Sequence, residues 1–177
     1  MGRTGDLGSE LTAHVAALRR YAVVLTGNRP DAEDLVQECL TRAIAAAASW
    51  PGGPNLRRWL FRIMHNTHVS DLRRRRVRSD YDRNTVFETA HAPNQAAQLE
   101  AKAVLAALDR LPEPQRQAIS LIAIEGMRYD EAAVILGIPT GTLMSRLARG
   151  REALRRALAD EGTDSKTPVL RLVKGRR

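Results

Sequence analysis

Apolar residues recur every three to four positions through most of the chain, which is the spacing of helices that bury one face. A first helix is predicted over residues 11–25, ended by the turn-forming residues 27–30. A second helix follows over residues 31–49 and a third over residues 56–76, separated by a loop rich in glycine and proline. Strand-like alternation is almost absent, so the sequence predicts an all-α fold.

The same spacing predicts the buried side of each helix. In the first helix the core positions are Leu11, Val15, Leu18, Ala22 and Leu25. In the second they are Leu35, Cys39, Ala43 and Ala46 or Ala47, with Leu40 and Ile44 beside them. In the third they are Leu56, Leu60, Ile63, Thr67 and Leu72. The polar residues of the second helix are thereby placed largely on its other side, toward solvent.

The second half of the chain repeats the helical pattern on a smaller scale. Predicted helices cover residues 99–110, 115–124, 129–136 and 140–158. Between the halves lies a polar, aperiodic stretch, and so long a structureless segment is unusual inside one compact domain. We therefore expect two small helical domains, residues 8–78 and 99–160, a flexible linker at 79–98 and a disordered basic tail at 161–177.

Residues 128–156 show the strongest local pattern, because a short helix, a tight turn and a longer arginine-bearing helix predict a helix-turn-helix. Ala132 and Ala133 are small where two helices must approach, and Gly137 suits the turn. The N-terminal half of the second helix normally enters the DNA major groove. Its exposed side offers Thr142, Met144, Ser145, Ala148 and Arg149, with Arg146, Arg151, Arg155 and Arg156 available to phosphates. The alternative is a helical hairpin with a solvated arginine face.

Residues 56–78 carry eight arginines against one acidic residue, Asp71. The arginines are interleaved with Trp59, Phe61 and Asn66, a combination that single-strand binders use because aromatic rings stack on bases while arginine neutralises phosphate. The alternative is a solvated basic face with aromatics in the core, and for each single aromatic ring burial is the more frequent outcome. His65 and His68 are expected to be surface or stacking residues rather than metal ligands.

The second helix carries an acidic and polar face formed by Asp34, Gln37, Glu38 and Thr41. A solvated surface is the simple interpretation of such a face. In a basic protein, however, an acidic stripe is not where DNA binds, so the face is a candidate surface for docking another protein.

Composition adds direction to these patterns. The chain has 177 residues and a net charge of +8, from 28 Lys and Arg against 20 Asp and Glu. Only three of the basic residues are Lys, so 25 are Arg, whose planar guanidinium suits phosphate. A GC-rich genome would also favour Arg over Lys, so composition alone leaves a polyanion partner and a genomic bias both open.

Several classes of function are excluded or disfavoured. The single Cys39 cannot form an internal disulfide, which fits a reducing compartment, and no apolar run is long enough to span a membrane. The four histidines are scattered, and phosphate-loop, dinucleotide and nucleophile motifs are missing from the sequence. We therefore expect a cytoplasmic protein with no catalytic residues, no metal, no cofactor, no small-molecule substrate and no membrane contact of its own.

Three segments of the chain carry distinct sequence motifs. Residues 31–38 read D-A-E-D-L-V-Q-E, residues 59–66 read W-L-F-R-I-M-H-N, and residues 71–75 read D-L-R-R-R. The third segment comprises L-P-E-P-Q-R at 111–116, G-M-R-Y-D-E-A-A at 126–133 and G-I-P-T-G-T-L-M-S-R-L-A-R-G-R at 137–151. Together, in this order, the three segments resemble the extracytoplasmic-function sigma factors, a class of bacterial RNA polymerase specificity subunits. The resemblance covers about residues 11–158.

The resemblance implies roles for particular residues. The family docks on core RNA polymerase through the first segment, which implies Asp34, Gln37 and Glu38. It melts and holds the −10 promoter element, which implies Trp59, Arg62, Asn66, Arg73, Arg74, Arg75 and Arg76, with residues 51–55 near the specificity loop. It reads the −35 element, which implies Tyr129, Thr140, Thr142, Met144, Ser145, Arg146, Ala148, Arg149 and Arg151. The resemblance also implies a linker directed to the RNA exit channel and control by an anti-sigma protein.

Three residues depart from the family pattern. Met144 stands where a basic residue is common, which leaves the −35 sequence open. Gly150 replaces an alanine at a cost of about 1 kcal/mol in helix propensity, and Arg128 adds a charge before Tyr129. The competing hypothesis is a stand-alone helix-turn-helix regulator with an N-terminal sensing domain, which would not need the acidic face or the 59–66 segment.

Overall fold

A computed structural model of the chain describes residues 3–50, 55–78, 104 and 106–160. In those ranges every regular element is helical, and contacts divide the chain into two units, residues 1–86 and 87–177. The prediction of an all-α protein with two small helical domains is confirmed. The predicted linker at 79–98 and the tail beyond residue 160 lie outside the described residues. Among the described helices, none is long and apolar enough to cross a membrane.

The N-terminal unit consists of three helices and a short turn. Helix α1 spans Arg3–Thr26, α2 spans Arg29–Ala45, a 3-10 turn spans Ala47–Ser49, and α3 spans Leu56–Arg78. The helices pack pairwise around a core in which Tyr21 and Phe61 lie fully buried, with ring centroids 5.2 Å apart. Residues 51–54, the middle of the predicted loop, lie outside the description.

The junction between α1 and α2 is built from the predicted breaker residues, but they do two different jobs. Gly27 adopts φ 80°, the left-handed conformation expected of a residue that ends a helix. Asn28 instead caps α2, because its side-chain oxygen accepts a 2.8 Å hydrogen bond from the Asp31 N–H. Pro30 lies in the first turn of α2, where its missing N–H is harmless. The segment therefore starts one helix as much as it ends the other.

Some details of the predicted N-terminal core are wrong. Helix α1 begins eight residues earlier than predicted, and α2 ends at Ala45, where the chain tightens into the 3-10 turn. Ile44, predicted beside the core, is 60% exposed. In α3, Ile63 and Leu72 are half-buried while Phe61 and Met64 are fully buried, so the buried stripe is rotated by about one residue.

The C-terminal unit contains α4 over Glu113–Ile119, a π-helical turn over Ser120–Ile124, α5 over Tyr129–Leu136 and α6 over Thr140–Asp160. The single helix predicted for residues 115–124 is thus divided. The Glu125 N–H donates to the carbonyl of Ser120, five residues back, at 2.9 Å. Four successive residues of this wider turn, Ser120 to Ala123, are all buried.

Helix α6 comes very close to α4 at Gly150. A Cβ on this residue would lie 2.6 Å from Ile119 Cδ1 and 3.2 Å from Gln115 Cβ, so the missing side chain is what allows the contact. The predicted anchors Leu143, Leu147 and Leu154 are buried, as is Gly150. The propensity cost of the glycine is therefore accompanied by tighter packing between the two helices.

Candidate nucleic-acid interface

The helix-turn-helix lies in α5, α6 and the turn between them. Gly137 adopts φ 63°, and the Ile138 N–H donates to the Ala133 carbonyl at 3.1 Å, which closes the end of α5. The Leu143 N–H then donates to the Pro139 carbonyl at 3.1 Å and opens α6. At the other end of α5, the Arg128 N–H donates to Glu131 Oε2 at 3.2 Å. The turn is thus held by backbone hydrogen bonds and a left-handed glycine.

The N-terminal half of α6 separates an exposed side from a buried side. The exposed residues include Thr140, Met144, Ser145, Ala148 and Arg149, all predicted to face DNA. Thr142, Arg146, Arg151 and Tyr129 from the same prediction are half-buried. Leucines back the exposed side, and Met144 presents an apolar surface that is 50% exposed. Because the Ser145 hydroxyl donates to the Thr142 carbonyl at 2.9 Å, it is oriented along the helix.

The arginines of α6 are not equivalent. Arg155 and Arg156 share the carboxylate of Glu152, with Arg156 Nε 3.1 Å from Oε1. Arg146 and Arg149 form no ion pair with the part of the chain that the structure describes. Arg151 has its Nε and Nη2 atoms buried without a hydrogen-bond partner among those residues. Arg149 is therefore the most available guanidinium on the exposed side, and Arg151 is turned partly inward.

Arg128, one of the departures from the family pattern, lies exposed just before α5. Its Nε is 3.2 Å from Asp130 Oδ1, so an adjacent carboxylate compensates part of the added charge. Such exposed pairs contribute at most about 1 kcal/mol. The carboxylate of Asp130 therefore offsets part of the positive charge that Arg128 adds beside the helix-turn-helix.

A second candidate face runs along α3. One side of the helix carries Trp59 and the residues three, seven and fourteen positions after it, which are Arg62, Asn66 and Arg73. Arg62, Asn66 and Arg73 are exposed, and Trp59 is half-buried. Phe61 is fully buried against Tyr21, so only the tryptophan of the two candidate aromatics reaches the surface.

His65 and His68 were expected to be surface or stacking residues, and this expectation is wrong. Both are buried, at 8% and 7% exposure, on the side of α3 that faces the other helices. Sequence spacing did not reveal this because arginines flank the buried stripe on both sides and blur its position. The two histidines therefore belong to the core of the N-terminal unit.

Trp50 is an aromatic residue near this face that sequence reasoning treated only as part of a loop. Its ring centroid lies 5.1 Å from that of Trp59, with the planes 40° apart. The sequence feature that could have indicated this contact is the position of Trp50, directly before the breaker residues and nine positions ahead of Trp59.

The arginines of the predicted basic run in the second half of α3 differ in ion pairing. Arg74 Nη2 lies 2.5 Å from Asp71 Oδ1, whereas Arg73 is exposed and forms no ion pair with the described residues. The side chains of Arg75 and Arg76 lie outside the description. Of the arginines placed by the structure, Arg62 and Arg73 are thus the ones most available to phosphate.

The acidic face of α2 is exposed as predicted at Asp34, Gln37 and Glu38. Glu38 Oε1 is 2.6 Å from Arg42 Nε on the next turn. Asp34 and Glu38 also line a groove of about 560 Å³, together with Asp31, His68 and the ion pair of Asp71 with Arg74. The contribution of Asp71, which comes from α3, is a feature that the sequence pattern did not reveal.

Two shifted pKa values lie away from these faces. Burial raises the pKa of the Cys39 thiol to about 12, against a smaller opposing effect of Arg42. The thiol donates to the Leu60 carbonyl at 3.5 Å and is part of the core. Burial also raises the pKa of Asp109, and Arg116 opposes the shift. These groups report on packing within each unit rather than on the candidate interfaces.

Comparisons with known proteins follow the same division of the chain. The family model described as the Sigma2 domain of PhyR matches residues 11–65, and the model described as Sigma-70, region 4, matches residues 101–154. The chain is 41% identical over 169 residues to the ECF RNA polymerase sigma factor EcfG of Rhodopseudomonas palustris, covering 95% of this chain and 93% of that one.

Two solved structures are also similar. The first is the sigma factor RpoE bound to the anti-sigma factor NepR from Bartonella quintana, with TM-score 0.76, 38% identity and coverage of 87% and 97%. The second is CnrH bound to the cytosolic domain of CnrY, with TM-score 0.66, 31% identity and coverage of 90% and 91%. The chain belongs to the ECF RNA polymerase sigma factors. Its function is therefore to bind core RNA polymerase and direct promoter-specific initiation of transcription.

Proposed function

We propose that the exposed half of α6 reads the −35 element in the major groove. The observation that carries this proposal is the segregation of α6, where buried leucines back an exposed side that holds Arg149, Ser145 and Ala148. A left-handed Gly137 sets the start of the helix. Small residues beside an unpaired arginine allow close approach to base edges, and arginine is the side chain best suited to guanine. Thr140, Thr142, Met144, Arg146, Arg151 and Tyr129 complete the proposed −35 surface.

The exposed face of α3 is proposed to hold the non-template strand of the −10 element. Trp59 supplies a ring for stacking on an unpaired base, Asn66 an amide for its edge, and Arg62 and Arg73 charge for the backbone. Arg74, Arg75 and Arg76 are assigned to the same strand. The separation of unpaired bases from a duplex is compatible with this chemistry because stacking on an aromatic ring replaces part of the lost base stacking.

The acidic face of α2 is proposed to dock on core RNA polymerase through Asp34, Gln37 and Glu38. An exposed acidic surface in a chain of net charge +8 favours a basic protein surface over DNA. We place residues 8–78 in this first domain, residues 99–160 in the −35-reading domain, and assign residues 79–98 to a linker toward the RNA exit channel. The tail over 161–177 receives no separate role.

Regulation and setting belong to the same proposal. One similar structure holds a sigma factor bound to an anti-sigma factor, and we propose that a protein of that class covers the exposed faces of α3 and α6 in the inactive state. The chain acts in the cytoplasm, where polymerase and promoter DNA are found. It catalyses no reaction of its own and needs no metal or cofactor.

Core polymerase pull-down followed by run-off transcription on captured genomic fragments tests the proposal. The chain is expected to bind core enzyme, and the holoenzyme is expected to start transcripts at a defined set of promoters. Trp59→Ala should impair initiation on duplex promoters, and Arg149→Ala should impair capture of upstream DNA. If the chain never binds core enzyme, the assignment of the α2 face and the promoter roles that depend on it are wrong.

A further inference from the structure

The two tryptophans of the chain lie together in the N-terminal unit. Trp50 and Trp59 are the only tryptophans in the sequence, and their ring centroids are 5.1 Å apart with a 40° angle between planes. Trp50 is 9% exposed, whereas Trp59 is half-buried. The pair therefore has one interior ring and one ring that reaches the surface.

Local backbone structure holds both rings. Trp50 directly follows the 3-10 turn Ala47–Ser49, and its N–H donates to the Ala47 carbonyl at 3.2 Å. Trp59 lies in the first turn of α3, where its N–H donates to the Asn55 carbonyl at 3.0 Å. The contact between the rings thus joins the end of the segment after α2 to the beginning of α3.

The surroundings of Trp59 distinguish it from an ordinary core residue. Arg62 and Asn66 lie on the same side of α3 and are exposed, and Arg62 forms no ion pair with the described residues. A half-buried ring at the end of a row of unpaired polar side chains resembles a stacking surface more than a core. A tilted ring pair also leaves part of the outer ring uncovered.

We propose that Trp50 is a positioning residue for single-stranded DNA: it holds the Trp59 indole in one orientation so that an unpaired base can stack on it. The inference rests on the proposed function, since it takes Trp59 as a contact to the −10 strand. Holding a side chain in its bound orientation beforehand lowers the entropy cost of binding. If Trp50 only filled space, replacing it would not change the mobility of Trp59 and the binding of single-stranded DNA together.

The mobility of Trp59 tests the first half of the proposal in the full chain. In Trp50→Phe and Trp50→Leu variants, Trp59 is the sole tryptophan, so time-resolved fluorescence anisotropy reports on that ring alone. The Trp59 ring is expected to remain restricted in the Trp50→Phe variant and to gain a fast component in the Trp50→Leu variant. Equal anisotropy decays in the two folded variants would overturn the proposal. Trp50→Met supplies a second non-aromatic variant should Trp50→Leu fail to fold.

Binding by reconstituted holoenzyme tests the second half. The probe is a single-stranded oligonucleotide that covers the −10 region of a promoter found by run-off transcription. Trp50→Leu should weaken binding about 3- to 10-fold and Trp50→Phe less than about 2-fold, as expected for loss or retention of an aromatic pair. Binding to duplex −35 DNA should be unchanged in both variants.

The controls separate the possible failures. If Trp59→Ala weakens single-strand binding while Trp50→Leu does not, Trp59 is a contact but Trp50 does not position it. If neither substitution matters in an active holoenzyme, Trp59 is not a stacking residue and the proposal is wrong. A wild-type chain that does not bind core polymerase contradicts the proposed function instead, and the pull-down detects that outcome on its own.

Discussion

Helices α3 and α6 both carry arginines on an exposed side, yet the chemistry beside those arginines differs. On α3 they accompany a tryptophan and an asparagine, Trp59 and Asn66. On α6 they accompany small residues and Met144, with a row of buried leucines behind. Aromatic and amide groups suit unpaired bases, whereas a narrow helix side with small residues suits the major groove. Under the proposed function, the arginines of the two helices would therefore contact two different forms of DNA.

Ion pairing sharpens this comparison. On α6, Arg155 and Arg156 share Glu152, and on α3, Arg74 pairs with Asp71. No ion pair with the described residues is formed by Arg146 and Arg149 in the N-terminal half of α6, or by Arg62 and Arg73 on the Trp59 side of α3. The count of 25 arginines therefore overstates how many guanidinium groups are available to phosphate. Neighbouring carboxylates determine which arginines are available to bind DNA, and substitutions can test this directly.

Arg149→Ala is expected to have the largest effect. If Arg149 contacts a base edge, holoenzyme binding to −35 DNA should weaken by about 1–3 kcal/mol and lose sequence preference at one position. If it contacts only phosphate, binding should weaken evenly across sequences and the salt slope should fall by about one. Binding titrations at several salt concentrations, on wild-type and altered −35 sequences, distinguish the two.

Arg156→Ala is the matched control for Arg149→Ala because it removes an equal charge from the same helix where Glu152 already compensates it. It should change −35 binding much less. Equal losses from the two substitutions would show that overall charge, rather than the exposed N-terminal half of α6, determines binding.

Glu38→Lys is expected to have the next largest effect and to distinguish the proposed protein-docking helix α2 from the proposed DNA-binding helices α3 and α6. Reversing this charge on the α2 face should weaken core polymerase binding by about tenfold or more, since like charges across an interface are strongly unfavourable. Competition binding against wild-type chain gives the measurement, and circular dichroism checks the fold.

Glu10→Lys makes the same change in net charge at an exposed position on α1 and serves as its control. It should leave core affinity within about twofold of wild type, as expected for a charge outside the interface. Unchanged core affinity in Glu38→Lys would contradict the assignment of α2 as the docking face.

Helical spacing predicted most of the fold because each helix buries one side. The leucines of α6 were identified in this way and are buried as predicted, whereas Gly137 was identified by the conformation that the turn requires, which it adopts. Rotation of the α3 core was missed, because arginines on both sides of the helix leave its buried stripe defined only to within about one residue. The π-helical turn after Ile119 depends on packing against other helices, which local spacing does not encode.

The candidate faces were predictable only in part, because some of their contacts join segments that are separate in the sequence. Exposure of Asp34, Gln37 and Glu38 follows from one helix and its period. The Trp50–Trp59 contact joins two segments across a loop, and the close approach at Gly150 joins two helices, so both require the tertiary structure. Gly150 illustrates the point, since sequence alone assigns it only a cost.

Gly150→Ala is expected to have a smaller effect, and on stability rather than on binding. The added methyl improves helix propensity by about 1 kcal/mol but forces Ile119 and Gln115 to shift in a packed interior, which costs about 1–3 kcal/mol. A net loss of about 0–2 kcal/mol should appear in denaturant unfolding of the full chain.

Gly141→Ala is the control for this change, because nothing lies within 4 Å of a Cβ at that position. It should be neutral or slightly stabilising. If Gly150→Ala stabilises the chain as much as Gly141→Ala does, the close approach of α6 to α4 is not tight enough to require a glycine.

The smallest effect is expected from pH, and it should have opposite signs in the two units. Burial and then Arg57 lower the pKa of His14 from 6.5, with Glu10 opposing. The unfolded chain therefore binds this proton more tightly, and the N-terminal unit loses stability as the pH falls below 6.5. Burial raises the pKa of Asp109 from 3.8, so the folded C-terminal unit gains stability as the pH falls through that raised value.

Two spectroscopic probes can resolve these opposite responses, because both tryptophans, Trp50 and Trp59, lie in the N-terminal unit. Tryptophan fluorescence follows that unit, and far-ultraviolet circular dichroism follows all helices. As the pH falls from about 7 toward about 4, a range that contains the ordinary pKa of His and ends just above that of Asp, the fluorescence midpoint of thermal unfolding should drop relative to the dichroism midpoint. His14→Gln should flatten the fluorescence response, and Asp109→Asn should flatten the remaining one. A fluorescence midpoint that still falls equally in His14→Gln would assign the acid sensitivity of the N-terminal unit to other groups.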